Sequence, residues 1–213
     1  MKKYTHLVWD FNGTLFDDVE AGIRSANRLL SAHGLAPIPS VARYRELFGF
    51  PIIDYYRRLG FDFERTPYAD LAVEWVAYYL EASADSRLYP DVPQALEEAK
   101  RRGLCQMVLS ATERGMLERQ ICSLGIRDRF CELLGLDNVR AYSKEEIALQ
   151  WKMKHPAAQL LMLGDTDHDA QVAAAIGADC ILVARGHQSR KALEALDVLA
   201  VADSLAEAFE RIP

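Results

Sequence analysis

Polar residues stand where apolar runs of this chain stop, and their types converge on one chemistry. THLVWD ends at Asp10, followed by Phe11, Asn12, Gly13 and Thr14; LCQMVL ends at Ser110, followed by Ala111 and Thr112. QLLMLG runs into Asp165, with Thr166, Asp167, His168 and Asp169 after it, and Lys144 begins a helical pattern between the second and third of these runs. Asp10 and Asp165, on different strand ends, can converge on one hard cation. Magnesium takes oxygen ligands in octahedral geometry and keeps waters and a phosphate oxygen of a substrate. Gly13 permits a tight turn whose backbone N–H groups face an anion. Ser110 and Thr14 add hydroxyl donors, and Lys144 adds a fixed positive charge. A carboxylate nucleophile, a metal, a backbone cradle and a lysine clamp make a phosphoryl-transfer site.

That assembly requires strands that place their carboxyl ends side by side, where open parallel sheets bind ligands. From about residue 88 the patterns alternate. Helical spacing over 92–102 stops at Gly103, LCQMVLS follows, and a second helix over 114–124 stops at Gly125. Then come a strand at 132–136, a helix over 143–155 with Ser143 and Glu146 placed as a capping box, and the strand reaching Asp165. A helix over 167–176, a strand at 179–184, a helix near 188–196, the run VLAVAD and a last helix from Ser204 complete the series. Short, continuously apolar strands between helices predict an α/β fold: an open parallel, Rossmann-like sheet with helices on both faces. Residues 17–87 differ, with helical periodicity throughout and no convincing strand. The expected division is a core from 1–16 and 88–213 and a small helical cap from 17–87.

Bulk properties narrow the partners. Half of the 213 residues are hydrophobic and about a quarter charged, and the formal charge is −6. Such a balance argues mildly against a nucleic-acid binder, which shows a basic face; it is the phosphoryl site, not the charge balance, that makes a small phosphorylated metabolite the expected partner. The run before Asp10 is too short for a signal peptide, and no stretch nears the roughly 18 apolar residues of a membrane span. A cytoplasmic protein, monomeric or a weak homodimer, is expected. Cys105, Cys122, Cys131 and Cys180 lie far apart without a Cys-x-x-Cys pair, so free, packed thiols are expected rather than zinc or disulfides.

In order and spacing these motifs resemble the haloacid dehalogenase superfamily, in the capped branch that includes phosphoglycolate phosphatase and β-phosphoglucomutase. DFNGT resembles its first motif, Ser110 its second, Lys144 in YSKEE its third, and GDTDHD its fourth. The resemblance implies a Mg²⁺-dependent phosphatase that forms an aspartyl phosphate on Asp10. Asp10, Asn12, Asp165 and Asp169 are then the metal residues, Asn12 through its backbone carbonyl. Phe11, Gly13, Thr14, Ser110, Ala111 and Lys144 are the phosphate-binding set, and Asp10, Asn12 and Lys144 the catalytic one.

Asn12 departs from the family pattern, which has an Asp there as general acid and base. Asn cannot exchange a proton at neutral pH. Losing that assistance costs about 10² to 10⁴ in rate, or roughly 3 to 5 kcal/mol of barrier. It costs less where the leaving group is good, as in an acyl phosphate. A slow phosphatase is one reading; a phospholigand-binding or regulatory module with little turnover is the other. His168 is expected to begin a helix and point away. In the insert, the loop region 47–61 with Gly49 and Pro51 is expected to face the site. Arg45, Arg57 and Arg58 are candidate partners for a second anionic group, while Trp75, Tyr78 and Tyr79 read as cap core.

Overall fold

Six strands form one parallel sheet in the computed structural model, which describes residues 4–137 and 143–212. Tyr142 of the YSKEE segment lies outside the described residues. In spatial order the strands are β5 (Glu132–Leu136), β4 (Cys105–Glu113), β1 (His6–Trp9), β6 (Leu160–Gly164), β7 (Asp179–Val183) and β8 (Ala200–Ala202). The register pairs Trp9 with Val108 on one side and with Leu163 on the other. Asp10, Ser110 and Asp165 therefore leave three adjacent strands at nearly the same level.

Alternation along each strand loads both faces. Leu7, Trp9, Val108, Leu161 and Leu163 pack into one apolar layer, and Val8, Met107, Leu109, Leu160 and Met162 into the other. Helices α5 (Val92–Arg101), α6 (Arg114–Ser123), α7 (Glu145–Lys154), α8 (Asp167–Ala175), α9 (Arg190–Leu193) and α10 (Leu205–Glu210) flank the strands. Strands buried on both faces explain the near-continuous apolar runs.

Between the first and second core strands the chain makes α1 (Val19–Ala32), α2 (Val41–Leu47), α3 (Ile52–Arg58) and α4 (Tyr68–Ala82). They close on their own core, with Ile23, Leu29, Leu30, Tyr44, Tyr55, Tyr56 and Leu71 buried together. Ser40 caps α2 by accepting from the Arg43 N–H at 3.1 Å, and Asn27 ties the 32–40 connection to α1 through both atoms of the Ile38 peptide. Two short strands bracket this insert, β2 (Phe16–Asp17) and β3 (Arg87–Leu88), paired antiparallel. Residues 17 and 87 are thus extended, where helical periodicity alone predicted no strand. Two residues are too few to carry a period-2 signal.

Two further expectations are corrected. Cys105 and Cys131, on the adjacent strands β4 and beside β5, are joined as a disulfide with their Cα atoms 6.5 Å apart; parallel pairing, invisible in their 26-residue separation, brings them together. Cys122 and Cys180 are free. The capping box expected at Ser143 does not form: Lys144 occupies the N-cap of α7, and the Ser143 hydroxyl accepts from the Glu145 N–H at 3.0 Å. The capping box present is Thr166 with Asp169, at the start of α8.

Gly164 ends β6 against that box. A Cβ there would lie 2.3 Å from Asp169 Cγ, inside van der Waals contact with a side chain held on every side. Gly164→Ala is expected to destabilise the fold by about 1–3 kcal/mol, read as a lower urea midpoint at unchanged slope. An unchanged midpoint would show that Asp169 is free to move.

Candidate active site

Asp10, Asp165 and Asp169 are buried, and one carboxylate oxygen from each lies within 4.8 Å of the others. Lys144, 2% exposed, reaches into this cluster from the first turn of α7. Its ammonium donates to Asp10 Oδ1, to Asp169 Oδ1 at 2.6 Å and to the Leu109 carbonyl at 3.2 Å. Asp169 Oδ2 accepts from the Asp165 N–H, the Thr166 N–H and the Thr166 hydroxyl at 2.7–3.1 Å. Both oxygens of Asp169 are thereby engaged. Asp165 accepts from the Thr14 hydroxyl at 3.1 Å and from the His187 N–H at 2.6 Å. Asp10 Oδ2 has no hydrogen-bond partner among the described residues, and Asp10 lines the cavity between sheet and insert.

Three carboxylates share one ammonium. Burial pushes Asp10 well above the usual carboxylate range, with Asp169 and Asp165 adding to it against Lys144. Asp165 is pushed up to about 6, mainly by burial. For Lys144, burial opposes the charge but Asp10 and Asp169 outweigh it, so it stays an ammonium ion. Asp169 is held below its ordinary value because Lys144 outweighs burial in the same way.

A second buried network surrounds Asn12. Its amide nitrogen donates to Asp18 Oδ2 at 2.8 Å and to the Tyr79 hydroxyl at 2.7 Å. Its carbonyl oxygen accepts from the Thr112 hydroxyl at 2.8 Å and the Ser110 hydroxyl at 3.4 Å. Tyr79 in turn donates to Asp18 Oδ2 at 2.6 Å. Asp18 Oδ1 accepts from the Gly13 N–H at 2.9 Å and faces His187 Nε2 at 3.3 Å, while His187 Nδ1 lies 2.8 Å from the Tyr44 hydroxyl. Burial disfavours charge on both His187 and Asp18. Their mutual attraction outweighs it, raising His187 to about 9 and lowering Asp18.

Gly13 is the joint of this arrangement. Its φ is +75°, and a Cβ would lie 2.3 Å from Asp165 Oδ2 and 2.6 Å from the His187 ring. Ser110 leaves β4 where the pairing register with β5 shifts, between Leu109 and Glu113. Such bulges re-aim side chains beside functional sites; Ser110, Ala111 and Thr112 all line the cavity. Phe11 puts its ring in the core, stacked on Phe16 at 5.1 Å, so only its backbone is left to face the site. Thr14 spends its hydroxyl on Asp165.

His168 lies away from the cavity, stacked on Phe50 at 4.4 Å, and burial with the nearby Lys144 charge lowers it to about 4. The insert arginines are engaged elsewhere. Arg45 donates to the Gly186 and Arg185 carbonyls, Arg57 to Asp54, and Arg58 to the Leu47 carbonyl. Tyr79, expected only as cap core, reaches the site through its hydroxyl. Asp18, Tyr44 and His187 escaped the sequence reading too. Asp18 reads as an ordinary residue before a helix, and a lone loop histidine carries no signal.

A sequence profile for haloacid dehalogenase-like hydrolases matches residues 7–183, from β1 through β7. The chain belongs to that family. A 5'-nucleotidase of Pseudomonas aeruginosa is 30% identical over 91% of this chain and 88% of its own length. A phosphoglycolate phosphatase of Vibrio parahaemolyticus is 26% identical over 96% of this chain and 94% of its own. In fold, a haloacid dehalogenase-like family hydrolase from Streptococcus pneumoniae superposes with a TM-score of 0.83, covering 99% of each chain at 19% identity.

The His187–Asp18 pair sets a pH dependence. A histidine raised on folding from 6.5 to about 9 contributes stability that is complete below pH 6.5 and lost as pH rises through about 9. The loss amounts to at most about 3 kcal/mol. Urea unfolding between pH 7 and pH 10 should show the wild type losing more stability than His187→Asn; parallel profiles would exclude the charged pair.

Proposed function

We propose that this family member is a magnesium-dependent phosphatase of small phosphorylated metabolites, with residues 17–87 acting as a cap over the site. The observation that carries the reading is Asp10: it lines the cavity, its Oδ1 is fixed by Lys144, and its Oδ2 has no hydrogen-bond partner among the described residues. Of the polar groups on the strand ends, this carboxylate is the one left free to attack.

The donor set fits a hard divalent cation. Three buried carboxylates against one ammonium leave an excess of negative charge, and burial above all, with the neighbouring carboxylates adding to it, raises Asp10 and Asp165. Asp10 and Asp165, with the Asn12 carbonyl, would hold Mg²⁺, which supplies the charge neutralisation that lets a phosphate dianion approach a carboxylate. Asp169, with both oxygens engaged, serves the site by holding Lys144 and the β6–α8 turn.

In the first step Asp10 Oδ2 attacks phosphorus, the bond from phosphorus to the leaving oxygen breaks with its electron pair on that oxygen, which takes a proton from solvent water, and an aspartyl phosphate forms. Lys144 holds Asp10 Oδ1 so that the other oxygen can attack, and the Ser110 hydroxyl, on the cavity wall, steadies a transferring oxygen. Water then attacks the same phosphorus, the phosphorus–Oδ2 bond breaks, and phosphate leaves with Asp10 restored as carboxylate. Asn12 orients groups and exchanges no proton, so good leaving groups should react best. The alternative of a phospholigand-binding module with little turnover rests on Asn12 alone.

The environment of Asn12 refines the test. An Asp at 12 would set a second carboxylate 2.8 Å from Asp18, whereas exchanging the two side chains preserves one donor amide between them. Phosphate release should require Mg²⁺ and vanish in Asp10→Ala. Asn12→Asp alone should destabilise the fold. Asn12→Asp with Asp18→Asn should recover stability and raise release from alkyl phosphomonoesters by about 10² to 10⁴. No release from either protein, acetyl phosphate included, would defeat the phosphatase reading.

A further inference from the structure

The space that receives the leaving group has a chemistry of its own. The cavity, about 140 Å³ in all, reaches from Asp10 to the insert, where Phe50, Ile52, Tyr56, Tyr68, Trp75 and Val76 wall it. Among the described residues, the cationic side chains along it are Lys144 and His187, and both are spent: Lys144 on Asp10 and Asp169, His187 on Asp18. Glu113, also on the wall, adds negative charge. Arg45, Arg57 and Arg58 bond elsewhere and do not line it. A carboxylate or second phosphate on the leaving group would enter this wall without a counter-charge, which desolvation makes costly. An apolar cavity of roughly 150 Å³ takes one benzene ring, and the phosphoryl group shares the space here, so the leaving group is at most about one ring.

One polar atom breaks the apolar wall. Tyr55, 3% exposed and lining the same cavity, has a buried hydroxyl with no hydrogen-bond partner among the described residues. Buried polar groups are normally paired, and a polar atom of the substrate would pair this one.

We propose that the substrate is the monophosphate of a small uncharged alcohol, with a leaving group about one ring in size, stacked among Trp75, Tyr56 and Phe50 and hydrogen-bonded to the Tyr55 hydroxyl. The inference rests on the phosphatase reading and narrows it. It sets this chain apart from an enzyme acting on phosphoglycolate, the substrate in the name of one relative, whose carboxylate has no partner here.

The test compares kcat/KM for benzyl phosphate and 2-phosphoglycolate, both alkyl esters, with acetyl phosphate as a substrate lacking both ring and carboxylate. Benzyl phosphate should exceed 2-phosphoglycolate by tenfold or more. Val76→Arg, which puts a cation on the wall, should narrow that ratio at least tenfold, with an unchanged urea midpoint as the control for folding. Among the three ring isomers of hydroxybenzyl phosphate, at least one should outperform benzyl phosphate and lose that advantage in Tyr55→Phe. Acetyl phosphate turnover with 2-phosphoglycolate equal to or better than benzyl phosphate overturns the inference and leaves the phosphatase standing. No gain from any hydroxybenzyl isomer overturns the Tyr55 assignment. Silence on all substrates overturns the phosphatase and this inference together.

Discussion

The ammonium of Lys144, buried among Asp10 and Asp169, is the contact on which the site depends. A lysine at 2% exposure is tolerable only because anions surround it, and those anions are tolerable only because it is there. The consequence for Asp10 is directional. One oxygen is fixed by Lys144, while the other has no hydrogen-bond partner among the described residues, and the residue lines the cavity. The consequence for Asp169 is the reverse: four donors fill its two oxygens, so it braces the turn that carries Asp165. Asp10 and Asp169 thus do different work because of what donates to them.

The site is also where the insert is fastened to the sheet. Tyr79 from α4 and Tyr44 from α2 bring hydroxyls to Asp18 and His187, and Arg45 binds the carbonyls of Arg185 and Gly186. Asn12 stands inside this fastening rather than beside it. Its amide supplies the donor that Asp18 requires, which gives the departure from the family pattern a physical setting. Residues 12 and 18 form a matched pair, one neutral and one charged. The arrangement leaves a largely aromatic cavity, and Tyr55, one of its lining residues, has a hydroxyl without a hydrogen-bond partner among the described residues.

Much of this was legible in the residues alone. Apolar runs that stop at Asp10, Ser110 and Asp165 announce parallel strands buried on both faces, because a strand covered by helices on each side must be apolar at successive positions. The polar residues at their ends then had to meet at the carboxyl edge. Lys144 was legible by its order among those ends, and the insert by its change of period. These are local signals: burial period, punctuation by glycine, and residue type.

Distance in sequence hid the rest. Asp18 and His187 are separated by 169 positions, and only the crossing of β1 and β6 with the loop after β7 brings them together. Cys105 and Cys131 pair because parallel strands align them, and the ribbon of β2 with β3 is too short to show a period. Arg45, Arg57 and Arg58 had the right charge for a substrate anion, yet tertiary contacts claimed each of them first. The chain by itself determined which chemistry the strand ends hold, since that follows from residue type and period. Which of those groups remain free to act was decided only in three dimensions, where each donor and acceptor takes the nearest partner that folding supplies.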